Sequence, residues 1–446
     1  VYLDDLFAMD EGLDWAILGA GVRAPDVRMR EALKAQDCLS TVIELDPKGR
    51  TARRVGAMVD FIEVQPDNAA LIAAMARPEI RIVSLTVTEG GYYVDAATGK
   101  FDPTHPDIVA DGGAPDRPAT AFGAILAALK ARRAAGIAPF TVMSCDNLPG
   151  NGHVTQAAVL GLARLSDPAL ADWVQANVAF PNGMVDRITP ATGPRERAMA
   201  AGFGLGDDPV PVTCEPFRQW VLEDHFPTGR PPLEKVGVTF TPHVHAYETM
   251  KIRILNGGHA IIAYPGGLMD IEYVHEAMAN PLISGFLDKV EREEIIPIVA
   301  PVPDTDLNAY FALIRERFSN PEVADTERRL CLDGSNRQPK FIIPSILDNL
   351  ARGGLPRGLI LESALWCRYC MGVSDSGAEI APNDPNWDRL QETARRAAGD
   401  PSAWLGMSDI YGHLGQNPAV LSCFAGYLAD LGARGTRAVL ADYIAS

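Results

Sequence analysis

The residues from Glu248 through Lys251 and Asn256 to His259 place a carboxylate, an amine, an amide and an imidazole at helical spacing. At roughly 100° per residue, with Lys251 as zero, Glu248 falls near 60°, His259 near 80° and Asn256 near 140°. Four groups of different chemistry thus share one arc, interrupted by Ile252, Ile254 and Leu255. An amine held among apolar groups and a second cation gives up its proton more readily than the ordinary lysine value of about 10.4 implies. The chemistry this suggests is proton abstraction with Lys251 as general base. The alternative is a solvated face of an amphipathic helix.

Other short motifs are less specific. Gly19-Ala20-Gly21-Val22-Arg23-Ala24 has the form G-x-G-x-x-A between an apolar run and a helical stretch. It reads either as a dinucleotide-binding turn or as an ordinary strand-to-helix turn. Cys367 and Cys370 lie one turn apart in an apolar helical stretch with no second pair, which fits core cysteines better than zinc or redox chemistry. His243 and His245 have no acidic or Cys cluster around them, so they read as a surface or interface pair and no metal is expected.

The elements that would position these groups divide the chain. Up to about residue 240, strand-like runs (15–18, 41–45, 80–87, 140–143) alternate with helical patterns (26–36, 120–135, 156–163). This is the pattern of a Rossmann-like, doubly wound α/β domain. Ligands of such sheets sit beyond the carboxyl ends of the strands, where Glu89 and Asn147 fall. From 241 to 446 the strand signals fade and the stretches 246–260, 274–296, 306–318, 342–351, 358–371 and 418–431 read as helices. The expected organisation is a dinucleotide-binding domain over 1–240 and a mostly α-helical substrate domain over 241–446.

Composition limits the partners. The net charge of −17 disfavours nucleic acid and anionic membranes, because there is no surplus of cations to neutralise phosphates. No apolar run of about 20 residues is available to span a bilayer. The acidic start, Val1-Tyr2-Leu3-Asp4-Asp5, is unlike a signal peptide. Seven scattered cysteines suit a reducing cytoplasm.

Lys251-x4-Asn256-x2-His259 resembles the signature of the long-chain polyol dehydrogenase family. The resemblance extends to residues 82–92, 141–149, 181–190, 215–224 and 333–341, and runs from the start to about residue 375. The family opens with a strand and a Gly-rich turn, G-x-G-G-F, that holds the dinucleotide pyrophosphate. Against that pattern the chain is expected to begin past this turn, at the end of the first helix (residues 2–9). The resemblance also makes Gly19-Ala20-Gly21 the end of the second strand. There Asp26, with Arg23 beside it, would meet the adenosine ribose and favour NAD over NADP by repelling a 2′-phosphate.

The activity implied is reversible, metal-independent oxidation of D-mannitol to D-fructose, extending to D-arabinitol and D-sorbitol, by a cytoplasmic monomer. By resemblance, Lys251 is the base, Asn147 and Asn256 donate to the developing alkoxide, and His259 orients the substrate oxygen. Glu248 gates the proton's path to water, and Asp186, Arg329 and Arg337 hold polyol hydroxyls. Glu89 lies on the nicotinamide side. Two alternatives stay open: a hexuronate (fructuronate or tagaturonate) reductase with the same lysine signature, and a non-catalytic polyol- or nucleotide-binding protein.

Overall fold

The computed structural model describes residues 1–95, 98–205 and 208–446. The chain divides into two compact units, Val1–His245 and Ala246–Ser446.

The first unit has ten strands: β1 (Ile17–Gly19), β2 (Ser40–Asp46), β3 (Gly49–Val55), β4 (Met58–Phe61), β5 (Ile82–Leu85), β6 (Thr141–Ser144), β7 (Gly183–Asp186), β8 (Val212–Cys214), β9 (Gln219–Leu222) and β10 (Thr239–Phe240). The strand–helix alternation expected of a Rossmann-type domain is present. Among the described residues, however, the strands form four short sheets: the parallel pairs β1–β4 and β5–β6, and the triplets β3–β2–β8 and β10–β9–β7. β1 and β5 each pair on one side only, so nothing joins them into a continuous sheet. β2 gives one edge to an antiparallel hairpin with β3, closed where Asp46 Oδ1 accepts from Lys48 N at 2.8 Å. The Arg-rich β3 carries no apolar alternation, so the sequence pattern does not reveal it.

The long helix Ala121–Ala135 starts where Thr120 Oγ1 accepts from Gly123 N (3.0 Å). It ends at Gly136, whose φ of +68° suits glycine. Phe122, Ile125, Leu129, Val142, Val159 and Val174 pack into its core. Arg132 is buried at the end of this helix and donates to Met75 O (2.8 Å), Ala138 O (2.7 Å), Ile80 O (2.5 Å) and Arg77 O, locking the approach to β5.

The second unit is helical, as its periodicity predicts. The stretch expected to run unbroken over 274–296 divides into Val274–Ala279, Pro281–Val290 and a π-helical turn, Glu291–Ile295. Pro281 cannot continue a ladder, and Asn280 Oδ1 accepts from Leu282 N (3.0 Å) to start the next helix. The core gathers Trp366, Trp404 and Tyr411, with Trp404 Nε1 donating to Tyr411 OH (2.7 Å). Cys367 and Cys370 are both buried in the helix Arg357–Cys370, as core cysteines. No helix among the described residues is long and apolar enough to cross a membrane.

Candidate active site

The helix carrying Lys251 is not α throughout. Val244–Met250 is α-helical, Lys251–Asn256 is a π-helix, and Gly257–Leu268 is α-helical again. A π turn closes i→i+5 bonds and rotates only about 82° per residue, so five such steps carry Asn256 to roughly 50° from Lys251. Three α steps then return His259 to about −10°. With Glu248 near 60°, the four groups span roughly 70° instead of the 140° of an unbroken α-helix. The π turn is therefore the local feature that gathers the amine, the amide and the imidazole on one face.

Lys251 is 7% exposed and Glu248 5%. Asn256 Oδ1 and His259 Nε2 are buried and have no hydrogen-bond partner among the described residues. Groups left in this state within a well-packed protein call for a ligand or water to complete them. The His259 ring stacks on Phe318, with centroids 4.3 Å apart and planes 18° apart. Burial pushes the imidazole pKa well below 6.5, and the charges of Arg329, Arg317, Arg337 and Lys251 push the same way. His259 is thus a neutral imidazole that can either donate or accept.

Two expected substrate ligands meet beside it. Arg329 grips Asp325 through Nε (2.5 Å) and Nη2, while Arg337 Nη1 donates to Leu330 O (3.0 Å) and Arg329 O (3.4 Å). Arg317 and Phe318, adjacent at the end of the helix Leu307–Phe318, escaped sequence reasoning. They lie some sixty residues from the lysine motif and read as an ordinary helix end. The π turn was missed for a related reason: one extra residue per turn looks like a phase slip in the apolar pattern. The glycine pair Gly257-Gly258 just after it was the available hint.

In the first unit, Glu89 and Asn147 sit where expected. β5 and β6 pair in parallel, Leu85 opposite Ser144, so both chains leave the sheet at the same edge. Asp146 ties the two exits together, its carboxylate accepting from Val87 N (2.9 Å), Thr88 N (3.0 Å) and Tyr92 OH (2.7 Å). Glu89 and Asn147 are exposed beside this tie. Asp186 closes β7 and is buried. The buried Asn151 links the two: its Nδ2 donates to Asp146 O (3.2 Å) and Gly183 O (2.8 Å), and its Oδ1 accepts from Gly183 N (2.8 Å). Gly152 keeps that junction close, since a Cβ there would stand 2.5 Å from Phe180 O.

At the end of β1, Asp26 Oδ2 accepts from Val22 N (3.1 Å) and Arg23 N (3.0 Å), and Oδ1 faces Arg23 Nη2 at 3.7 Å. One carboxylate oxygen thus shapes the turn and the other stays outward. A half-buried acid beyond a strand end, with the open edge at Thr88–Gly91, suits a ribose and a nicotinamide, so these residues fit a dinucleotide.

Residues 2–235 match the mannitol dehydrogenase Rossmann domain and residues 243–431 the mannitol dehydrogenase C-terminal domain. The chain is 71% identical to mannitol 2-dehydrogenase of Cereibacter sphaeroides over all of its own length and 93% of that protein's. It is 42% identical to mannitol 2-dehydrogenase of Aspergillus fumigatus over 92% of the chain and 83% of the relative. Among solved structures it resembles the Pseudomonas fluorescens mannitol 2-dehydrogenase ternary complex with NAD and D-mannitol (TM-score 0.87, 42% identity, 100% of this chain and 91% of that one). It also resembles a substrate-free D-sorbitol dehydrogenase (TM-score 0.89, 33% identity, 98% and 92%). The chain belongs to the mannitol dehydrogenase family.

Proposed function

We propose that this chain is an NAD-dependent mannitol 2-dehydrogenase that oxidises D-mannitol reversibly to D-fructose with a lysine base and no metal. The observation that carries the reading is the π turn, which sets Lys251, Asn256 and His259 on one face with two buried polar atoms unpartnered. The 71% identity to a mannitol 2-dehydrogenase supports it.

NAD, when bound, accepts the hydride that leaves the substrate carbon. Asp26, Arg23 and Glu89 are the residues assigned to hold it. Lys251 Nζ takes the proton of the same carbon's hydroxyl as the C–O bond becomes a carbonyl, so hydride and proton leave the alcohol by separate routes. Asn147 and Asn256 donate to the oxygen while it carries negative charge, which replaces the Lewis acid of a metal enzyme. Neutral His259 orients that oxygen. Asp186, Arg329 and Arg337 bind the remaining hydroxyls. Glu248, one helical turn before the lysine, passes the proton onward to water.

A second reading rests on one observation: Arg317, Arg329 and Arg337 all act on His259, and three guanidiniums would also suit the carboxylate of a hexuronate. A spectrophotometric NADH assay across mannitol, sorbitol, arabinitol, fructose, fructuronate and tagaturonate separates the two. Mannitol and fructose should give the highest kcat/KM. Preference for a uronate would replace the proposal, and no turnover on any of them would leave a binding protein.

A further inference from the structure

We propose that Phe318 is a positioning residue for the polyol oxidation: stacked flat on His259, it sets the plane of the imidazole and leaves Nε2 free for the substrate oxygen. This rests on the reading above and names what holds one of its groups. Catalytic imidazoles are commonly oriented by a hydrogen bond from one ring nitrogen to a carboxylate or carbonyl, which also fixes the tautomer. Here the contact that fixes the ring is aromatic, at 4.3 Å and 18°. Phe318 is itself 3% exposed and is the last residue of a twelve-residue helix, so its ring cannot swing away.

The backbone at Gly258 borders this ring. A Cβ on Gly258 would stand 3.5 Å from Phe318 Cε2, 3.5 Å from Leu287 Cδ1 and 3.3 Å from Glu291 Oε1. A larger side chain at 258 would press on the phenyl ring beneath the neighbouring imidazole. The stack also serves a reversible reaction. The oxygen at this site is a hydroxyl in one direction and a carbonyl in the other. An imidazole held by its face rather than by a nitrogen can present either a lone pair or an N–H to it. Burial, together with the Arg329, Arg317 and Arg337 charges, keeps the ring in that neutral, two-way form.

The test is a double-mutant cycle. Phe318→Leu should lower kcat/KM for D-mannitol about tenfold or more, since an angstrom of misplacement can cost up to about a hundredfold. NADH binding should be retained. Phe318→Tyr, which keeps the flat ring, should stay within about threefold of the parent. In a His259→Gln background, Phe318→Leu should cost no more than about twofold, because the group it positions is gone. A full-sized loss in that background, or a Phe318→Leu enzyme with the parent kcat/KM, overturns the proposal. Nitrogen-15 NMR of labelled histidine, with His259→Gln used for assignment, reads the same coupling without turnover. In Phe318→Leu the His259 signal should titrate at higher pH than in the parent, as water relieves its burial. An unchanged His259 titration in that variant overturns the role even if another substrate proves to be the physiological one. Absence of mannitol turnover with this coupling intact would sink only the functional reading.

Discussion

Arg132 in the first unit and Glu291 in the second are both ionisable, buried residues, and they are treated in opposite ways. Every terminal nitrogen of Arg132, and its Nε, donates to a backbone carbonyl. Both oxygens of Glu291 lack a partner among the described residues, and burial drives its carboxyl pKa well above the usual range. Three residues further on, Glu294 takes the amides of Gly358 (2.7 Å) and Leu359 (2.9 Å) and the Tyr443 hydroxyl (3.1 Å), so position alone does not explain the neglect. Among the described residues, the carboxylates with unpartnered buried oxygens (Glu291, Glu327 and Glu362) fall in the helical unit, the one that carries the lysine motif. Leaving a buried polar group unsatisfied costs about 1–3 kcal/mol. Buried acids of the first unit escape that cost, as Asp111 does by accepting from the amides of Ala119 (2.8 Å) and Thr120 (3.0 Å), whereas the second unit keeps buried acids that water, substrate or a proton must complete.

That contrast predicts where substitutions hurt. The largest effect is expected at Lys251. Lys251→Ala should lower the turnover of polyol oxidation by about 10²–10⁴-fold, with NADH binding and Tm nearly intact. Partial rescue by added primary amines would support its role as base, and a variant within threefold of the parent would remove it from the chemistry. Arg132→Ala should show the reverse pattern. It removes a buried guanidinium and leaves four backbone carbonyls without their donor, so unfolding free energy should fall by about 3 kcal/mol or more while kcat at 25 °C stays near the parent value. Chemical denaturation and steady-state assays on one preparation read both. A loss of turnover without a loss of stability would break the division drawn here.

Glu291 offers a smaller effect of opposite sign. Its folded pKa is raised, so between the unfolded value near 4.5 and that raised value the native state holds a proton that the unfolded chain has released. Stability then falls as pH rises through this window, because the unfolded state binds fewer protons. Glu291→Leu removes both the penalty and the titration. The variant should gain about 1–3 kcal/mol near pH 8, and its Tm should decline less between pH 5 and pH 8. A Tm profile parallel to that of the parent would mean that the carboxyl finds partners in solution.

Much of this organisation is legible in the residues, though unevenly. The helices Ala121–Ala135, Leu307–Phe318 and Arg357–Cys370 follow from their periodicity, and strands β5 and β6 from β-branched runs that end in turn residues. Glu89 and Asn147 follow from their place just past those strands. The tight arc of Lys251, Asn256 and His259 does not follow, because a helical wheel assumes the α-helical twist that the π turn abandons. Phe318 and Arg317 were invisible because their role comes from packing across the helical unit and not from spacing. Asp146 lies in a stretch that resembles a family block and Asn151 just beyond it, but their work as ties between loops is evident only once the hydrogen bonds are seen.

The smallest expected effect tests the first unit, at the half-buried carboxylate of Asp26 proposed to select the cofactor. Asp26 has two tasks: Oδ2 holds the turn through the amides of Val22 and Arg23, while the carboxylate's charge faces outward beside Arg23. Asp26→Ala would disturb both, so Asp26→Asn is the cleaner probe, since its amide oxygen can still accept from the two amides. The loss of charge removes the repulsion of a 2′-phosphate and frees the Arg23 guanidinium, 72% exposed, to pair with it. The NADP-to-NAD ratio of kcat/KM should rise about tenfold, the size of a partly screened charge interaction of about 1.4 kcal/mol. Tm should barely move, and the gain should shrink as salt is raised. The acid on the next strand, Glu44, is already engaged by Arg187 Nη2 at 2.8 Å, which makes it a poor substitute reader of the ribose. An unchanged ratio in Asp26→Asn, with the turn intact, would therefore move the selection to Asp46 or to a backbone contact.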